Sequence, residues 1–207
     1  MKPEIILIGA GGHALSCIDV VETQGLYRIA GLVGLPAEKL NEELGYSIIG
    51  TDGELAYLST KFQHALVVVG QIKTAEPRKT IYRHLVNLGF TLPTIISPTA
   101  YVSCRAKIGQ GTIVMHGAKV SAGARIGSNC IINTNALIEH ETIVEDHCHI
   151  STGAILNGRV FVGPGTFVGS GCLVKEEVRI GESCLLGIGV IVRSDVSDKV
   201  RILDNRC

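Results

Sequence analysis

The chain has 207 residues, with 19 Lys+Arg against 19 Asp+Glu and a formal net charge of zero, so it lacks the basic surplus that nucleic acid or an anionic membrane surface demands. Tryptophan is absent, aromatic residues make up 4%, and 46% of residues are hydrophobic against 18% charged, which excludes a base-stacking platform and a disordered chain. No apolar run approaches the ~18 residues of a membrane span, and seven cysteines without a CxxC suit a reducing compartment, so a cytoplasmic protein with no nucleic-acid and no membrane partner is expected.

The first half alternates strand and helix. Glu4–Ile8 reads as a buried strand rather than a signal peptide, because its apolar run dissolves into Gly9-Ala10-Gly11-Gly12-His13. An apolar-periodic helix follows from about Ala14 to Thr23, then a strand at Arg28–Val33. Short elements near Ser47–Ile49 and Gly53–Leu58 precede a strand at Ala65–Val69 and a helix over about Pro77–Leu88. This alternation predicts an α/β, Rossmann-like domain over residues 1–93, a small parallel sheet with helices on both faces. Pro93 and Pro98 stiffen the join to the second half.

Gly9-x-Gly11-x-x-Ala14 lies between strand and helix, as a dinucleotide fingerprint does, where backbone N–H groups can hold a phosphate. The acidic residue that would bind a ribose belongs after the second strand, but Val33, Gly34 and Leu35 stand there, so NAD is not expected. A phosphate or sugar ligand remains open, as does a glycine turn that serves packing alone.

From Ile96 onward an aliphatic residue recurs every six positions, through Val102, Ile108 and so on to Leu186 and Val192, seventeen in all without an insertion. Four residues after each sits a slim side chain: Ala six times, Thr three times, Cys four times and Val four times. Six matches neither the helical nor the simple strand period. It fits a chain that runs one short strand, turns a corner and repeats, three sides closing an eighteen-residue coil. The prediction is a left-handed parallel β-helix of hexapeptide repeats over residues 94–207, about 5.7 coils tall, or roughly 27 Å at ~4.8 Å per coil. Cys130, Cys148, Cys172 and Cys184 occupy slim slots as small hydrophobes, and are expected to stay thiols.

Histidines carry most of the candidate chemistry. His64 and His84 read as surface residues at element edges. A zinc site on such a coil needs histidines stacked at multiples of eighteen; none here are so spaced, and no metal is expected. His140 sits between Glu139 and Glu141 near a corner. A neighbouring carboxylate raises imidazole basicity close to the operating pH, which is what a general base for an amine or hydroxyl requires. A solvated polar corner is the alternative.

Taken together, the chain resembles the bacterial sugar acyltransferases of the sialic acid O-acetyltransferase and UDP-4-amino-sugar N-acetyltransferase type. The likeness rests on Ile5–His13 (ILIGAGGH), Val68–Gly70, Pro93–Ser103 and above all Ile132–Gly158, in which Glu-His-Glu is followed nine residues later by His-Ile-Ser. It implies an acetyl-CoA-dependent acetyltransferase, homotrimeric, with active sites between neighbouring prisms. His140 would be the general base and Glu141 its partner. His149, Gly158, Ser170 and Ile188 would line the acetyl-CoA groove, and Gly11, Gly12, His13 and Gly70 would hold the sugar. The chain departs from the family in Gly34-Leu35-Pro36, where acidic residues are common, and in ending Arg201 to Cys207 without a Gly-x-Pro-Ala stretch.

The expected reaction is direct transfer from acetyl-CoA to a nucleotide-linked amino sugar, since a pyrophosphate suits the helix N-terminus better than the single carboxylate of sialic acid. Free sialic acid is the alternative acceptor. The rivals of other classes are a nucleotide-dependent oxidoreductase and a non-catalytic nucleotide-binding scaffold.

Overall fold

A computed structural model describes residues 2–35 and 45–204; Pro36 and the last three residues fall outside it. Strands β1 (Glu4–Ile8), β2 (Arg28–Val33), β3 (Ile48–Gly50) and β4 (His64–Val67) form a parallel sheet in the order β3-β2-β1-β4. Alternation along β1 sorts its side chains. Ile5 and Leu7 pack under helix α1 (Gly12–Gln24), while Ile6 and Ile8 pack under α2 (Leu55–Leu58) and α3 (Glu76–Asn87). Both faces are covered, as a parallel sheet requires.

Helix α1 begins two residues earlier than the apolar period suggests, because Gly11 takes the extended N-cap conformation. It stops at Gly25, whose left-handed backbone (φ 69°) lets its N–H return to the Val21 carbonyl. Strand β4 is shorter than expected: the Val69 carbonyl has left the ladder and accepts from Arg78 Nη1. His84 is exposed, but His64 is half-buried, its Nδ1 3.2 Å from the Glu4 carbonyl.

From Ile95 the chain winds as a left-handed parallel β-helix of two-residue strands in three sheets of seven, six and five strands. Face one runs from Ile95–Ile96 through His149–Ile150 to Arg201–Ile202, face two from Tyr101–Val102 to Ile191–Val192, and face three from Lys107–Ile108 to Arg179–Ile180. Strands pair with those eighteen residues on, as Ile131 does with His149. The repeating aliphatic residues and the slim residues together fill the interior. Cys130 and Cys148 point inward as expected, and their thiols donate to the carbonyls of Glu145 and Gly163, each at 3.2 Å.

The last coil departs from the period. Leu186 pairs with Ile202, sixteen residues on, and Ile180 bridges Val196. Val196, expected in the slim slot after Val192, therefore lies over an interior aliphatic position, and the corner before it is two residues short.

The N-terminal half sits on face one, where Ile95, Ile113, Met115 and Ile131 join the α1 side of its core. It also grips both flanking corners. On the corner between faces one and two, Asp19 of α1 meets His116 Nε2 at 2.8 Å, and His116 Nδ1 meets Ser97 Oγ at 2.7 Å. On the corner between faces three and one, Arg78 Nη2 donates to the Asn129 carbonyl and to its Oδ1, at 3.0 and 2.9 Å. The third vertex, between faces two and three, carries none of these contacts. No helix among the described residues is long and apolar enough to cross a membrane.

Candidate active site

Within one protomer the expected site residues fall into three groups. The first occupies the bare vertex. His140 is more than half exposed, and its Nδ1 faces Glu141 Oε2 at 3.4 Å. Gly158, eighteen residues on, lies directly against the ring: a Cβ there would stand 2.6 Å from His140 Cε1 and Nε2. Glycine at 158 is thus what lets the imidazole lie along the coil, so Gly158 belongs with His140. Among the described residues none hydrogen-bonds His140 Nε2, which leaves that nitrogen available for a proton. Hydrogen bonds from Arg159, and then from His140, hold the Glu141 carboxyl below the usual carboxylate range.

The second group lines the cleft between the halves. His149 is 6% exposed; its Nδ1 lies 2.7 Å from the Gln71 carbonyl and its Nε2 3.0 Å from the Asn133 amide. The carbonyl can only accept, so Nδ1 carries the proton and Nε2 accepts from Asn133. Burial pushes the His149 pKa down to about 4. The His13 ring stands 6.2 Å away, its pKa also pushed down to about 4 by burial and then by the nearby Arg78 charge. Gly70 borders His13, with a notional Cβ 3.4 Å from that of the histidine. His13 Nε2, Gln71 Oε1 and Arg78 Nε are buried without hydrogen-bond partners, an arrangement that native proteins keep mainly where a ligand or water completes it.

At the mouth of this half, a Cβ on Gly11 or Gly12 would meet nothing within 4 Å, so backbone there is open to close approach. Beside it a crevice of about 420 Å³ opens at the carboxyl ends of β1 and β2, lined by Gly9, Ala10, Leu35, Thr51, Asp52 and Ile81 among others. The acidic side chain missing after β2 has a counterpart here in Asp52, which arrives from the segment after β3.

The third group, Ser170 and Ile188, forms a ridge on the corner between faces one and two. Ser170 Oγ is 2.9 Å from Ser151 Oγ, and Ile188 is 80% exposed. Face two separates this ridge from His140.

Sequence reading missed Arg78, Asn133 and Arg159. Arg78 is fully buried with no carboxylate partner among the described residues, and burial lowers its pKa to about 10; nothing in a linear pattern marks such a residue. Arg159 was findable, because it stands one coil above Glu141.

Residues 4–85 match the PglD N-terminal domain family, and residues 105–140 match the bacterial transferase hexapeptide family of six repeats. Among solved structures, a variant of perosamine N-acetyltransferase from Caulobacter crescentus in complex with CoA and GDP-perosamine is 30% identical, covering 99% of this chain and 95% of its own, with a TM-score of 0.90. The acetyltransferase domain of PglB from Neisseria gonorrhoeae in complex with acetyl coenzyme A is 31% identical over 99% and 98% of the two chains, with a TM-score of 0.89. WeeI from Acinetobacter baumannii shares the fold at 19% identity and a TM-score of 0.85, covering 99% and 98%. No match was found among curated proteins.

Proposed function

The chain belongs to the hexapeptide-repeat sugar acyltransferases with a PglD-type N-terminal domain, and on that footing we propose that it moves the acetyl group of acetyl-CoA onto the amine of a nucleotide-linked amino sugar, with His140 as general base. The observation that carries this reading is the geometry of His140: exposed, seated on Gly158, with Nδ1 turned to Glu141 and Nε2 free. Glu141 orients the ring and favours the proton on Nδ1, leaving Nε2 to accept one from the acceptor as it attacks the thioester carbonyl. The same nitrogen then returns that proton to the departing thiolate. Backbone N–H groups at the coil edge would steady the oxyanion. No acyl-enzyme is invoked, since among the described residues no candidate nucleophile adjoins His140.

His149 has a different part. Both its ring nitrogens are engaged and it is neutral near pH 7, so it forms part of the wall between cleft and coil rather than moving protons. The unpartnered His13 Nε2, Gln71 Oε1 and Arg78 Nε support a polar ligand in that cleft. The open turn at Gly11 and Gly12, at the N-terminus of α1, supports a pyrophosphate. Ser170 and Ile188 offer acetyl-CoA a ridge with one hydroxyl and one apolar side chain.

These groups lie on different sides of one prism, with the N-terminal half on face one and His140 at the opposite vertex. An acceptor held by one copy therefore meets the His140 of another, and the working unit is a homotrimer. The outward column of face two supports this, because Leu137, Ile155, Leu173 and Ile191 follow one another there only partly covered, whereas the face-three column breaks its apolar Ile143 and Phe161 with Lys107, Arg125 and Arg179. The enzyme would work in the cytoplasm, where its thiols stay reduced.

The test is thiol release from acetyl-CoA across GDP- and UDP-linked amino sugars and free sialic acids. Turnover of a nucleotide amino sugar is expected. A sialic acid used more efficiently than every nucleotide sugar would transfer the reading to O-acetylation.

A further inference from the structure

Glu141, Arg159 and Glu177 are spaced by eighteen, so they stack in successive coils along the bare vertex. All three hold left-handed backbone, with φ of 58°, 60° and 65°, a conformation that long side chains adopt only against steric resistance. Arg159 Nε donates to Glu141 Oε2 at 3.0 Å, and Arg159 Nη1 donates to Glu177 Oε1 at 3.0 Å. Glu141 Oε2 is also the atom that His140 Nδ1 faces at 3.4 Å. One carboxylate oxygen is thus shared between a guanidinium and the imidazole.

We propose that Arg159 is a positioning residue for acetyl transfer: it holds Glu141 Oε2 in competition with His140 Nδ1 and sets, against the counter-pull of Glu177, how much of that carboxylate's charge the imidazole feels. The inference rests on His140 being the base. Among the described residues, the charged groups on the vertex around the ring are Glu139 and Glu141 in its own corner and Arg159 in the next coil, with Lys175, Glu176 and Glu177 one coil further. The coil on the other side presents Ala122 and Gly123, neither of them charged. Removing Arg159 takes away a positive charge and releases the carboxylate to the imidazole, so both changes act in one direction. Removing Glu177 leaves Arg159 wholly to Glu141 and acts in the other.

The experiment is an NMR titration of the His140 ring in the full-length protein, its signal assigned by its loss in His140→Ala. It is run beside the pH dependence of kcat/KM with acetyl-CoA and GDP-perosamine. Arg159→Gln is expected to move the His140 titration midpoint, and the acidic limb of the rate profile, to higher pH, while lowering plateau turnover by less than about tenfold. Glu177→Gln is expected to move both to lower pH, and Arg159→Lys to return the midpoint toward wild type. Coincident midpoints in folded wild type, Arg159→Gln and Glu177→Gln would overturn the proposal. If Arg159→Gln does not fold, the Glu177→Gln shift decides alone. Wild-type turnover in His140→Ala would instead overturn the choice of base, which the titration does not depend on.

Discussion

His140 and His149 stand nine residues apart on the same coil, and the fold gives them opposite properties. His140 projects from the vertex that the N-terminal half leaves bare, with one ring nitrogen toward a carboxylate and the other free. His149 lies under that half, its two nitrogens satisfied by Gln71 and Asn133 and its pKa pushed down to about 4 by burial. Side-chain type does not separate an exposed imidazole with a free nitrogen from a buried, neutral one; the placement of the corner relative to the docked domain does. The two regions also differ in their charge chemistry. The vertex carries an exposed Glu–Arg–Glu column, whereas the cleft buries the Arg78 guanidinium among carbonyls and an amide.

The contrast between the two histidines breaks most sharply if the base is misassigned. His140→Ala is expected to keep its melting temperature and lose roughly 10²–10⁴-fold in turnover, measured by thiol release under saturating acetyl-CoA; a folded variant with near-native turnover contradicts the assignment. Gly158→Ala probes the seat of the ring while leaving His140 itself in place. Its Cβ would collide with the imidazole, which is free to swing into solvent, so the fold should hold while turnover falls by about 10²-fold from misplacement of the base.

Acid should distinguish the buried region from the exposed one. His13 and His149 are held neutral, with pKa values near 4 against an ordinary value of 6.5. Between those values the unfolded chain binds more protons than the folded one. Stability is therefore complete above about pH 6.5 and declines as pH falls toward 4, by roughly 3 kcal/mol for each histidine. Urea midpoints at pH 7 and pH 4.5 would show it, and His149→Gln should be less acid-sensitive than wild type; a midpoint unaffected by pH counts against both assignments.

A smaller effect is expected from Glu141→Gln, which keeps the hydrogen bond but removes the charge. Turnover should fall less than in His140→Ala, and the acidic limb of the rate profile should move to lower pH. The least perturbing probe is thiol labelling. Cys104 is exposed, while Cys17, Cys130, Cys148, Cys172 and Cys184 are buried, and burial pushes the Cys17 thiol up to about 12. In a Cys207→Ser background one thiol should react quickly and the rest only on unfolding.

The coil was legible in the sequence because each of its positions repeats a single local requirement: an aliphatic residue inward, a slim residue at the corner. Val196 escaped that logic when the last coil lost two residues, a change set by pairing with Ile180 rather than by local pattern. In the candidate site, the juxtaposition of His140 with Glu141 was readable because the two are neighbours in the chain. The family resemblance assigns Gly158 to the cofactor groove, and only the eighteen-residue stacking reveals it under the imidazole. Arg78 and the Asp19–His116 contact depend on how two independently patterned halves dock, which no period in either half encodes.

On the proposed mechanism, an acceptor held by one copy is acetylated at the His140 of another. Gly12→Trp, filling open space at the acceptor turn, and His140→Ala should each be nearly inactive alone. Unfolded together in equal amounts and reassembled, they should regain about a quarter of wild-type activity, the fraction of interfaces that combine an intact turn with an intact base in a closed ring. A mixture as inactive as its two parents, despite verified subunit exchange, would mean that turn and base act within one chain and would contradict the shared site.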